Sequence, residues 1–137
     1  MENFKILERG SEVGITAQGV NLEQVFAHAA HGMFSLMADL TNVDEKEQIE
    51  IKQKGNNLEE MLFNFLDQLL YRFEVNNFLA KRVEVRKCTP RLLEAVAYGE
   101  EKDKTHRIKR EIRSVTYHKL KIKQLAGFWK IQVGFDT

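Results

Sequence analysis

The sequence predicts an α+β fold, two helices packed on a mixed, largely antiparallel sheet, with elements in the order β-β-α-β-α-β-β-β-β. Three observations carry this. Apolar residues recur at helical spacing in two stretches, from Val25 to Met37 and from Leu58 to Phe73. Elsewhere they alternate with polar residues, the period of a strand with one buried face. The chain has 137 residues, 43% hydrophobic and 30% charged, which suits a single domain over 1–137 around one core and leaves little for a disordered tail.

The elements follow in order. Phe4 to Leu7 and Val13 to Gln18 are strand candidates, joined by a turn that carries Glu8 and Glu12. Asn21 is a helix cap with Gln24 at the reciprocal position, and Val25, Phe26, Ala29, Ala30, Met33, Phe34 and Met37 fall on one face of a helix running to about Asp39. Ile49 and Ile51 mark a short half-buried strand that stops at the turn Gly55-Asn56. Asn57 and Glu60 then frame the second helix, with Leu58, Met61, Leu62, Phe65, Leu66, Leu69, Leu70 and Phe73 in one stripe. Burying each such side chain stabilises a fold by roughly 1.5–3 kcal/mol, so the stripe reads as core and not as a lipid or partner surface. The period becomes two again over Leu79 to Arg86, Leu92 to Tyr98, Ile112 to Ile122 and Trp129 to Phe135, with Pro90 and Ala126-Gly127 as punctuation.

Composition narrows function. No apolar run approaches the roughly 18 residues of a membrane span, and Met1-Glu2-Asn3 lacks the basic start of a signal peptide, so a cytoplasmic protein without membrane contact is expected. The single cysteine, Cys88, reads as a buried strand residue. Net charge is only +1, yet nine Lys or Arg stand against two acids between Lys102 and Lys123. Such clustering attracts RNA phosphates or an acidic protein face. It equally suits a solvated strand face, and no aromatic interleaving marks a platform for stacking bases.

Phosphate-cradling glycine loops, nucleophile elbows, zinc dyads and EF-hand loops are all missing. His28 and His31 stand three apart on the first helix without an evident third ligand, and read as ordinary helix residues. Glu8, Glu12 and Asp136 form the most promising set, because hard cations need several carboxylate or carbonyl oxygens and these can converge from distant segments. The two ends of the chain must then meet, which neighbouring first and last strands would allow. Thr137 would add its terminal carboxylate beside Asp136. Solvated surface acids remain the plainer reading of composition alone.

A resemblance sharpens this. The run Glu8-Arg9-Gly10-Ser11-Glu12-Val13-Gly14-Ile15, the helices Asn21-Leu22-Glu23-Gln24-Val25-Phe26 and Asn57-Leu58-Glu59-Glu60, then Gly99-Glu100, Asp103, His106, Glu111, Val115-Thr116-Tyr117-His118, Trp129 and Phe135-Asp136 resemble the archease family in order and spacing. The likeness extends over nearly the whole chain. Archeases typically carry an Asp-His-Thr-Ala-Asp-Val-Gly-Ile-like turn, so Glu8 and Arg9 replace its first aspartate and histidine, and Glu12 its second aspartate, while Asp136 is retained.

The resemblance implies a non-catalytic accessory factor of an RtcB-type RNA ligase in tRNA splicing and RNA repair, promoting ligase guanylylation and turnover. It implies a divalent metal, calcium first and magnesium or manganese as alternatives, on Glu12, Asp136 and Thr137, with Glu8 as a fourth candidate. RNA would be contacted through the ligase complex, and no small-molecule substrate is implied. A chaperone-type protein-binding module is the alternative. A free-standing metal-dependent hydrolase is third and needs His106 or His118 as general base; both otherwise read as exposed polar residues.

Overall fold

The computed structural model describes residues 3–137. The first two strands, β1 (Phe4–Arg9) and β2 (Glu12–Gly19), form a hairpin. Glu8, Arg9 and Glu12 thus belong to the ladder, and the turn shrinks to Gly10-Ser11, with Gly10 at φ +61° where a tight hairpin calls for glycine. Helix α1 (Leu22–Met37) starts as its sequence predicts: Gln24 N–H donates to Asn21 Oδ1 at 2.8 Å. The reciprocal bond goes one residue further out, from Val20 N–H to Gln24 Oε1 at 3.0 Å. Strand β3 (Glu47–Lys54) precedes helix α2 (Leu58–Asn76), capped by Asn57 Oδ1 accepting from Glu60 N–H at 2.8 Å. Asn77 ends α2 in the left-handed region at φ 57°, its N–H returned to the Phe73 carbonyl at 2.9 Å. Four strands follow: β4 (Phe78–Cys88), β5 (Leu92–Glu101), β6 (Ser114–Leu125) and β7 (Phe128–Asp136).

The strands divide into two sheets, β1-β2-β7-β6 and β3-β5-β4, and every pairing is antiparallel. Alternation predicts strands but carries no information on which strand pairs with which, so the single mixed sheet expected from it resolves into two antiparallel ones. Both helices pack against both sheets and lie between them. That placement explains their composition: Phe26, Phe34, Met33, Phe65, Leu66 and Leu69 are fully buried, because a helix between two sheets must hide more than one stripe. Val13, Ile15 and Ala17 of β2 and Ile131, Val133 and Phe135 of β7 supply the inner face of one sheet, and Ile51, Val83, Val85, Ala95 and Ala97 that of the other.

Cys88 is buried, and burial, with the Glu23 carboxylate adding, pushes its thiol up to about 12, which makes it inert at neutral pH. Among the described residues no helix is long and apolar enough to cross a membrane.

Candidate functional site

The last strand meets the second strand, not the first. Val13 faces Phe135 in the β2–β7 ladder and Ser114 faces Asp136 in the β7–β6 ladder. Continuing the first ladder by one residue sets Glu12 beside Asp136, and Arg9 faces Glu12 from β1. A lateral row Arg9–Glu12–Asp136–Ser114 therefore crosses the end of the four-stranded sheet. Side chains directly opposite in such a row have Cβ atoms about 4.5–5.5 Å apart and share a face. Val13 and Phe135, one step inward, are core residues, so this row points away from the core.

Both carboxylates are exposed. Asp136 Oδ2 accepts from Ser114 Oγ–H at 3.0 Å, and its backbone carbonyl from Arg113 N–H at 2.7 Å. Glu12 Oε1 lies 3.6 Å from Lys119 Nζ. The β6 ladder explains that lysine's reach. Pairing with β7 slips between Thr116 and Lys121, and the extra residues bulge outward so that the Lys119 stem lies over Gly134. Gly14 and Gly134 face each other beneath it. A Cβ on Gly14 would meet the Val133 carbonyl oxygen at 2.5 Å. With no side chains there, a depression of about 350 Å³ opens beside Glu12, lined also by Leu7, Arg9, Thr16 and Gln132.

Thr137 follows Asp136 directly and is exposed. Glu8 is not brought to this place. It faces Val13, in the row that alternates with Glu12, and its Oε2 is paired to Arg110 Nη2 at 2.7 Å.

The donors suit a hard cation. Two carboxylates on neighbouring strands, with backbone carbonyls at hand, are the kind of oxygen ligands that calcium or magnesium takes. Among the described residues no three His, Cys, Asp or Glu side chains cluster to hold a metal by themselves. An ion here would complete its shell with main-chain, water or partner oxygens, in competition with Lys119 at Glu12.

The histidines divide differently from expectation. His106 reads in the sequence as an exposed loop residue, yet its side chain is 1% exposed. Asp103 N–H donates to Nδ1 at 2.9 Å, which leaves Nε2–H to donate to Glu100 Oε2 at 3.2 Å. Glu100, itself buried, also accepts from Asp44 N–H at 2.6 Å and lies 3.4 Å from Lys46 Nζ. The Asp44 amide first, then His106 and Lys46, hold its carboxyl below the ordinary value against the opposing effect of burial. Glu100, Asp103 and His106 are local and belong to the run that resembles the family, but strand alternation does not reveal that Asp44 and Lys46 join them from a distant segment. His118 is exposed in the β6 bulge, as expected. Neither imidazole is hydrogen bonded to Glu12 or Asp136 among the described residues.

A larger groove, about 570 Å³, runs between α1 and β4 past His28, His31, Lys81 and Arg82. His28 Nδ1–H donates to the Gln18 carbonyl at 2.6 Å and His31 packs on the Phe4 ring at 5.4 Å. Burial, then the neighbouring His28 and Lys81, lower the His31 pKa. Both act as helix residues, which matches their sequence reading, and the groove lies apart from the carboxylates.

The sequence model of the Archease protein family (MTH1598/TM1083) matches residues 4–137. The chain belongs to the archease family. Protein archease of Pyrococcus abyssi is 33% identical over 138 residues, with 97% of each chain covered. That of Methanosarcina mazei is 31% identical over 140 residues, covering 98% of this chain and 96% of its own. The solution structure of Methanobacterium thermoautotrophicum protein 1598 superposes with a TM-score of 0.86 at 29% identity over the full length of both chains. A Thermotoga maritima crystal structure, described as an archease and possible chaperone, gives a TM-score of 0.66 at 18% identity, covers 97% of this chain and 96% of its own, and shares the fold.

Proposed function

We propose that this archease is a non-catalytic accessory factor that activates an RtcB-type RNA ligase in tRNA splicing and RNA repair, in the cytoplasm, with no small-molecule substrate of its own. The observation that supports this most is the lateral row that sets Glu12 beside Asp136 on an exposed sheet end. In this reading Glu12, Asp136 and the Thr137 carboxylate hold a divalent ion, calcium before magnesium or manganese. Glu12 reaches one methylene further than an aspartate would, which the shallow glycine floor beside it accommodates. Lys119 keeps Glu12 partnered until an ion arrives. When bound, the ion supplies positive charge that offsets phosphate charge at the ligase's nucleotide site. Exposure of the row leaves it open to a protein surface, and RNA is reached through the ligase complex.

The test is single-turnover guanylylation of an RtcB-type ligase from the same organism, at fixed GTP and divalent metal, with and without this protein. Faster labelling with the native chain, lost in Asp136→Ala of unchanged fold, is expected. An unchanged rate with an active ligase refutes the accessory role, and an undiminished Asp136→Ala refutes the ion's part in it.

A chaperone-type reading has its own support. Tyr71 and Val75, four apart on α2, are 58% and 56% exposed, and apolar side chains one helical turn apart can grip unfolded segments. Suppressed aggregation of unrelated unfolded proteins by the native chain, but not by Tyr71→Ser/Val75→Ser, is what that reading expects.

A further inference from the structure

We propose that the outer face of the four-stranded sheet binds the phosphodiester backbone of a nucleic acid through Lys5, Lys121, Lys123 and Lys130. This goes beyond the accessory role above and does not depend on it. The register assembles these lysines from three strands. Lys5 faces Thr16, Thr16 faces Gln132 and Gln132 faces Lys121, one row spanning all four strands. The next row out runs Gln18, Lys130, Lys123. Ile131 and Ile122, between these rows, point to the core, so all four lysines project to solvent on one face, and all four are exposed.

Their pairing sets this face apart. Lys123 and Lys130 are directly opposed across the ladder, where like charges destabilise a sheet. Among the described residues none of the four makes an ion pair. The three-stranded sheet is treated otherwise: Arg82 binds Glu45 at 2.9 Å and Glu84 at 3.4 Å, and Arg86 binds Glu84 at 3.2 Å. Pairing of Arg82 and Arg86 with carboxylates lowers the net charge there, whereas Lys5, Lys121, Lys123 and Lys130 leave a concentrated positive field on the four-stranded sheet.

The chemistry of the face selects the polyanion. A stable protein interface needs an apolar or aromatic centre, and the two rows offer only threonine and glutamine between their lysines. Lysine is a compact, strongly hydrated charge that meets phosphates without needing a fixed geometry. Residues two apart on one strand, such as Lys121 and Lys123, stand roughly 6.8 Å apart, so successive cations can follow a charged chain. No aromatic side chain lies in either row to stack a base, so binding should be independent of sequence and strongly salt-dependent.

Fluorescence anisotropy with a labelled mixed-sequence RNA strand of about 20 nucleotides, and its DNA counterpart, tests this from about 50 to 200 mM salt. The native chain should bind at least one of them, more weakly as salt rises; the RNA and DNA arms show which source the face prefers. K5Q/K121Q/K123Q/K130Q should weaken binding about tenfold or more and flatten the salt slope by up to about 3, at about 0.7 for each phosphate that a lysine no longer neutralises. K52Q/K54Q/K87Q, on the other sheet, should leave both unchanged. Thermal unfolding of each variant separates a weakened phosphate interaction from a damaged fold. Absence of salt-dependent binding, an equal loss in the control variant, or tighter capture of poly-glutamate than of either strand would each overturn the proposal, the last by making an acidic protein the occupant.

Discussion

Two acidic clusters are built in opposite ways. Around Glu100 the carboxylate is buried and its oxygens are taken by the Asp44 amide, the His106 imidazole and Lys46. Around Glu12 and Asp136 the carboxylates are exposed and hold a serine hydroxyl and a lysine at 3.6 Å. Buried polar groups cost free energy unless they are fully partnered, so the first arrangement is what a fold does with an acid it needs for its own shape. The Glu100 cluster lies near the segment that α1 holds down: Lys109 N–H and Arg110 N–H donate to the Met37 carbonyl, and Asp39 N–H to that of Arg107. Exposed acids with exchangeable partners are what a fold leaves for a ligand. Saturation of partners, more than the number of acids, separates the two clusters.

The largest effect should come from breaking the saturated cluster. His106→Ala leaves the Asp103 amide without its partner, takes one of two donors from the buried Glu100 Oε2, which keeps the Asp44 amide, and removes a packed ring. Stability should fall by about 3 kcal/mol. Urea unfolding measures it, and a loss under about 1 kcal/mol would mean that water replaces the imidazole. Divalent-ion affinity should not change.

The same cluster predicts an acid limb. The folded-state pKa of Glu100 is held below its ordinary 4.5, chiefly by the Asp44 amide. Its contribution to stability is therefore complete above that value and is lost as pH falls through the lower folded value. The difference in stability between the native chain and Glu100→Gln should be constant above pH 4.5 and shrink below it. A difference that grows on acidification would contradict the assignment.

Asp136→Asn inverts the pattern. The side chain is exposed and the Ser114 hydroxyl can still donate to the amide oxygen, so unfolding should shift by less than about 0.5 kcal/mol. Calorimetric titration with calcium, magnesium and manganese should nonetheless lose the binding seen with the native chain, since one carboxylate of the pair is gone. Retained affinity would move any ion site elsewhere.

Legibility follows the same divide. Helices, strands and caps are readable because each is written in local periodicity and in single residues such as Asn21 and Asn57. Asp136 and Glu12 can be named because they sit at strand ends and in a run that resembles a family motif. The partition into two sheets, the β6 bulge that brings Lys119 over Gly134, and the joining of Glu100 to Asp44 across 56 positions are long-range pairings with no local signature. His106 reads as an exposed loop residue although its partners Asp103 and Glu100 are local, because the burial of the loop that holds them is written in no local period.

Glu8 gives the smallest effect and the sharpest test of the row. The sequence places it four residues before Glu12, close enough for both to serve one ion, and only the ladder separates them. Facing Val13, it lies in the row that alternates with the one holding Glu12 and Asp136, and its partner is Arg110. An exposed pair of this kind contributes about 0–1 kcal/mol, so Glu8→Gln should scarcely move the unfolding midpoint. If the lateral row is the ion site, this variant binds calcium as the native chain does while Asp136→Asn does not. If Glu8→Gln loses affinity alongside Asp136→Asn, the hairpin end must twist far enough to bring both rows onto one ion. The two-residue turn at Gly10-Ser11 would then be a hinge of the site and not merely the end of a ladder.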